Sequence, residues 1–166
     1  MASTFSFDIV STYDKGEMIN VYDQVQREID TRYDLKGTQA ALEWLDSSKS
    51  GFKIIGDNQF HLDALLEMVR KKAAGRGISQ KTFTTPKGPE ATLAKITWDV
   101  LFANGLDHEK AKIITALIRD KLPKVKSQIQ GDEIRVSSAK KDELQSAMEI
   151  IRNSDLSFPV SFTNFR

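Results

Sequence analysis

The 166-residue chain carries 24 basic and 23 acidic side chains, a net charge of +1, with 40% hydrophobic and 28% charged residues. That balance suits one ordinary domain or two small ones and excludes a disordered chain. The absence of cysteine excludes disulfide frameworks, thiolate zinc sites and cysteine nucleophiles, and fits a reducing compartment. No apolar run reaches the roughly 18 to 20 residues of a membrane span, and the first six residues lack the basic and apolar segments of a secretory signal, so a cytoplasmic protein is expected.

In chain order, Phe5 to Val10 alternates apolar and polar residues and reads as a strand. Met18, Tyr22, Val25, Ile29 and Tyr33 follow at helical spacing and form one apolar stripe. Two short alternating runs, Leu42–Trp44 and Phe52–Ile54, flank the polar loop 46–51 and predict a hairpin. Asp57 or Asn58 caps a second helix with Leu62, Leu65, Leu66, Val69 and Ala73 buried, and Gly75 and Gly77 end it. A short strand is expected near Ile78 to Thr85.

The same order then recurs. Leu93 to Phe102 is a long strand candidate with Ala94, Ile96, Trp98, Val100 and Phe102 on one side. Asp107 caps a helix whose stripe is Ala111, Ile114, Leu117, Ile118 and Leu122, and Pro123 forbids its continuation. Val125 to Ser137 is a hairpin turning at Gly131-Asp132. Ser138 caps a last helix carrying Leu144, Ala147, Met148 and Ile151, and Val160 to Phe165 closes the chain as a strand.

Strand, helix, hairpin, helix, strand thus occurs twice, about 85 residues apart. Each copy has the βαββαβ order of a ferredoxin-like domain, an α+β fold with helices on one face of an antiparallel sheet. Pro86-Lys-Gly-Pro89 divides the chain into repeats 1–88 and 89–166. Each is small enough to be marginal alone, so mutual support is expected.

The second hairpin carries the sharpest local signal. A two-residue turn at Gly131-Asp132 sets Gln130 opposite Glu133, Gln128 opposite Arg135 and Lys126 opposite Ser137. One face then holds Ile129, Ile134, Ser127 and Val136, and the other Lys126, Gln128, Gln130 and Arg135; a one-residue slip would bury the arginine. Lysine and arginine supply charge for phosphates, and glutamine amides both donate to and accept from base edges. RNA-recognition domains use a sheet of this kind but stack bases on exposed aromatics, which this hairpin lacks. An exposed polar face that binds nothing has the same local pattern.

Two windows are locally basic. Residues 68–89 hold Arg70, Lys71, Lys72, Arg76, Lys81 and Lys87 without an acid; residues 110–126 hold Lys110, Lys112, Arg119, Lys121, Lys124 and Lys126 against Asp120 alone. Such clusters serve as phosphate contacts or as solvated helix ends. His61 and His108, each near a helix start, have no histidine at ligand spacing and read as surface residues, so no metal site is expected. Gly51–Gly56 has the outer glycine spacing of a P-loop, but Asp57-Asn58 stands where Lys-Ser or Lys-Thr is required. No nucleophile elbow is present and the acids are scattered, so catalysis is not expected.

Several segments together resemble the YajQ family of bacterial proteins across almost the whole chain. They are Ser6–Ser11, Arg27-Glu-Ile with Arg32-Tyr-Asp-Leu-Lys-Gly37, Lys72 through Ile78, residues 124–136, and Phe158-Pro with Phe162-Thr-Asn-Phe-Arg166. The sequence departs from the usual pattern at Ala41-Leu42 and at Asp155-Leu-Ser-Phe. The resemblance implies two tandem ferredoxin-like domains that exchange their N-terminal strands, so that Phe5–Val10 joins the second repeat's sheet. It also implies a nucleotide-binding, signalling role associated with cyclic di-GMP and RNA, and no catalytic residues or cofactor. Within matching segments, Arg32, Lys36, Lys126, Gln128, Gln130 and Arg135 have the chemistry to hold a cyclic di-GMP or GTP ligand. Arg70, Lys72, Arg76, Lys112, Lys121 and Lys124 are candidate phosphate or tRNA contacts. A transcription regulator is a further candidate partner, and a monomer is expected.

Overall fold

The computed structural model describes residues 4–166. The chain is built from nine strands and four helices among these residues: β1 (Phe5–Val10), α1 (Lys15–Thr31), β2 (Ala41–Trp44), β3 (Gly51–Gly56), α2 (Gln59–Gly75), β4 (Phe83–Thr84), β5 (Glu90–Ala91), β6 (Ile96–Phe102), α3 (His108–Lys121), β7 (Lys126–Gln130), β8 (Glu133–Ser138), α4 (Lys141–Asn153) and β9 (Ser161–Thr163). Three helices start where a short polar side chain takes up a free amide. Asp14 accepts from Glu17 N at 3.0 Å, Asn58 from His61 N at 3.0 Å and Asp107 from Lys110 N at 2.8 Å. Asp57 instead accepts from Gln39, so the second cap is Asn58.

Two antiparallel sheets result, ordered β7-β8-β1-β9 and β2-β3-β6-β4, with β5 pairing β6. Both have the ferredoxin-like strand arrangement, and in both an inner strand comes from the other sequence repeat. β1 pairs β8 and β9, while β6 pairs β3 and β4. The N-terminal strands are therefore exchanged. The chain divides into two compact units: a central unit, Tyr13–Ala103, and a terminal unit formed by the segment ending at Thr12 with Asn104–Arg166. Their boundaries differ from the repeat boundary at 88/89 because each exchanged strand folds with the other repeat's helices.

Each unit has its own core. In the terminal unit Phe7, Ile9, Ile114, Ile118, Ile134, Val136, Ala147 and Ile151 are buried together, so α3 and α4 cover one sheet face. In the central unit Val21, Val25, Leu42, Phe52, Ile54, Leu62, Leu65, Val69 and Val100 do the same beneath α1 and α2.

Several local expectations need correction. Tyr33 lies beyond α1 and is 94% exposed, because Arg32 adopts an extended conformation that ends the helix. Leu93 is fully exposed and β6 starts only at Ile96, since 93–95 lack a partner strand. Ser138 ends β8 and is not the helix cap; its hydroxyl donates to Glu143 and accepts from Lys140 N, and α4 begins after Lys140 without a side-chain cap. His61 is buried, not a surface residue: its ring packs on side-chain-free Gly56 and Nδ1 accepts from Asp57 N at 3.0 Å. Ile129 is 41% exposed despite facing the core side, because β7 is an edge strand.

Candidate ligand-binding surface

The β7–β8 hairpin adopts the register its alternation dictates: Lys126 pairs Ser137, Gln128 pairs Arg135, Ile129 pairs Ile134 and Gln130 pairs Glu133. Gly131 at the turn has φ +64°, a left-handed conformation that favours glycine. Since Ile134 and Val136 face the helices, Glu133, Arg135 and Ser137 face away from them. The paired residues Lys126, Gln128 and Gln130 share that outer face.

β1 extends the face. Asp8 pairs Arg135 on one side and Thr163 of β9 on the other, so Gln128, Arg135, Asp8 and Thr163 form one cross-strand row. Beside it, Lys126, Ser137 and Ser6 form a second row. The Ser6 backbone exchanges hydrogen bonds with Arg166, at 2.9 and 3.2 Å. No outward position of the inner strands β8 and β1 is aromatic, so base stacking of the RNA-recognition type has no platform here.

Asp8 organises this row. Its side chain is 4% exposed, accepts from Arg135 Nε at 3.1 Å, and accepts from Asn164 Nδ2 at 2.8 Å. Burial pushes the carboxyl up, but the hydrogen bonds from Asn164 and Arg135 and the charges of Arg135 and Arg166 outweigh it. The carboxyl is held below its ordinary value and stays ionised near neutral pH. Arg135 is thereby fixed through Nε, and its two terminal nitrogens make no hydrogen bond to any described residue. A guanidinium oriented in this way offers donors to a phosphate or a guanine edge at reduced entropic cost. Glu133 on the same face can accept from a guanine N–H, and also repels phosphate.

The other sequence candidates are distributed differently. Lys112 and Lys121 lie on α3, in the layer that covers the opposite face of the terminal sheet, and Lys124 lies in the loop before β7. Arg32, Lys36, Arg70, Lys72 and Arg76 all belong to the central unit. Arg32 pairs with Asp34 at 2.8 Å, Lys72 with Glu28 at 3.5 Å and Arg76 with Glu17 at 3.1 Å. Arg70 is engaged with Gln80 on both its backbone carbonyl and its guanidinium. Lys36 is exposed in the turn before Gly37. Of the ligand-binding candidates, Lys126, Gln128, Gln130 and Arg135 thus share one face, while Arg32 and Lys36 lie in the other unit. Asp8, Asn164 and Arg166 were absent from the sequence-derived site; the outward phase of Asp8 in β1 was the signal for it, once β1 is assigned to this sheet.

Among the described residues no group of three or more potential ligands is arranged to hold a metal ion, and no helix is long and apolar enough to cross a membrane. The chain matches the YajQ family, described as nucleotide-binding protein YajQ-like, over residues 5–166. It is 42% identical to a nucleotide-binding protein of Nostoc punctiforme and 43% identical to one of Trichodesmium erythraeum, each over the full length of both chains. A nucleotide-binding protein of Thermobifida fusca is 38% identical, again over the whole of both. With that coverage and identity, and with the exchanged tandem fold, the chain belongs to the YajQ-like family of nucleotide-binding proteins.

Proposed function

We propose that this protein is a non-catalytic nucleotide receptor whose ligand is a cyclic dinucleotide of the cyclic di-GMP type. The ligand would be held on the outer face of the terminal sheet by Lys126, Gln128, Gln130 and Arg135. The observation that carries this reading is the pinned guanidinium of Arg135, held by Asp8 at 3.1 Å beside Gln128 on an otherwise polar face. Two phosphates need cations, which Arg135 and Lys126 supply, and Arg166 adds a third positive charge near Asp8. Two guanines need donors and acceptors on their edges, which Gln128, Gln130 and Glu133 supply. Arginine can in addition lie flat on a purine. The relatives' description as nucleotide-binding proteins supports the ligand class, and their naming as binding proteins supports the absence of turnover.

The test is calorimetric titration with cyclic di-GMP, with GTP and tRNA as parallel ligands at two salt concentrations. Saturable binding of cyclic di-GMP at both salts is expected, because a ligand with two charges releases few counterions. Arg135→Ala should weaken it more than tenfold, about 1.4 kcal/mol or more. Binding of tRNA alone, lost at the higher salt, would replace the receptor reading with RNA association. Silence from all three ligands would point to a protein partner such as a transcription regulator.

A further inference from the structure

The central unit contains an opening with a different chemistry. A cleft of about 150 Å³ lies between the start of α1 and the β2–β3 loop, lined by Tyr13, Lys15, Met18, Ile19, Trp44, Ser48 and Lys49. Two larger clefts present carboxylates, Glu149 in one and Glu28 with Glu67 in the other. This one is lined by two lysines, and an acid, Asp46, stands at its rim.

Trp44 forms its platform. One side of the indole is taken by the core: Tyr22 stacks on it with ring centroids 4.7 Å apart and 22° between planes, and Phe52 follows at 4.9 Å. The residue remains half-buried. Lys49 places its Nζ over the ring, 5.2 Å from the centroid. Ile19, 39% exposed, and Met18 supply apolar contact nearby.

The rim is preshaped. Asp46 accepts from Ser48 Oγ at 2.9 Å and from Ser50 N at 3.0 Å, and its hydrogen bonds with Ser50 hold its carboxyl below the ordinary range. Lys49 occupies a left-handed conformation, φ +58°, within this knot. Tyr13 is pushed up by burial and by the charge of Asp46, so its phenol stays protonated and can donate.

An indole face with a cation above it, apolar walls, a neutral phenol and a second lysine suit a flat ring that carries negative charge. We propose that this cleft binds a planar aromatic anion of the purine mononucleotide class, its ring on Trp44 and its phosphate between Lys15 and Lys49. Lys49 exchanges its contact with the indole for a charge pair with the phosphate, and the ring takes its place on the indole face. The volume is below the roughly 300–1,000 Å³ of sites for larger ligands, so it admits one base and not a cyclic dinucleotide. The site is independent of the hairpin face and carries a separate ligand.

Trp44 and Trp98 are the two tryptophans, so Trp98→Phe makes Trp44 fluorescence a local reporter. Titration with GMP and AMP should give saturable quenching. Guanosine should bind more weakly, and inorganic phosphate should not quench. Lys49→Gln should weaken GMP about three- to fivefold, and Arg135→Ala should leave it unchanged. Calorimetry of GMP on the wild type and on Lys49→Gln gives the same comparison without relying on the Trp98 variant. No saturation at millimolar GMP, equal affinity for guanosine and GMP, or loss of the signal in Arg135→Ala would each overturn the proposal. Absence of cyclic di-GMP binding by the wild type, or unchanged cyclic di-GMP affinity in Arg135→Ala, with GMP quenching intact, would refute the hairpin site alone.

Discussion

Replacing Asp8 by asparagine tests the link between the fold and the hairpin face. The wild-type carboxylate accepts one hydrogen bond from a guanidinium and one from an amide while almost fully buried. In Asp8→Asn one of those donors faces an N–H in place of an oxygen. Hydrogen bonds to a charged group contribute about 1.5–3 kcal/mol, and breaking a buried pair costs about 3–5 kcal/mol. Arg135 keeps 33% of its side chain in solvent, so water compensates part of its loss and the expected destabilisation is about 2–3 kcal/mol. Urea denaturation of both proteins at neutral pH measures it. The difference should also depend on pH in one direction. Asp8 titrates in the folded protein below its ordinary value of 3.8, so the wild type keeps its full advantage above that value. It loses the advantage as pH falls through the folded-state titration, where both proteins carry a neutral side chain. A neutral-pH difference under about 0.5 kcal/mol, or one that does not shrink in acid, would refute the assignment of Asp8 as the anchor of Arg135.

Two further substitutions probe the scaffold. Gly51→Ala would drive a methyl into the Val100 backbone carbonyl across the β3–β6 ladder, where no side chain can rotate away; a loss of about 3 kcal/mol is expected by denaturation. Asn58→Ala removes the acceptor for His61 N at 3.0 Å and should cost about 1 kcal/mol, whereas Asn58→Asp should be close to neutral in the same assay.

The second hairpin was legible in the sequence because three local constraints agree on it. The Gly131-Asp132 turn, the two-residue alternation and the cross-strand pairs all require one register, and the observed pairing of Gln128 with Arg135 is that register. Asp8 was not legible as the partner of Arg135. The two are 127 residues apart, and alternation in Phe5–Val10 specifies which side chains face the core, not which sheet receives the strand; only the family resemblance implied the exchange. Leu93 and Tyr33 fail for a related reason. Both continue an apolar period beyond the point where the backbone has a partner or remains helical. A position near a helix start reads as surface for His61, but it is the neighbouring Phe60 that is exposed, at 62%. The missing side chain of Gly56 makes the space that His61 fills.

The exchanged strands also explain why the candidate surface depends on both sequence repeats. β1 and β6 are inner strands, hydrogen-bonded on both sides, and each is delivered by the repeat that does not supply the other three strands of its four-strand order. Without the strand that the other repeat contributes, each sheet as exchanged would lack an inner member and expose two unpaired edges. The chain passes between the units at 12–13 and again at 103–104, so each exchanged sheet draws its strands from both repeats. The same connection brings Asp8, from the first repeat, beside Arg135 and Asn164 of the second. The guanidinium that the hairpin offers to a ligand is therefore aligned only when both repeats have folded and exchanged their strands.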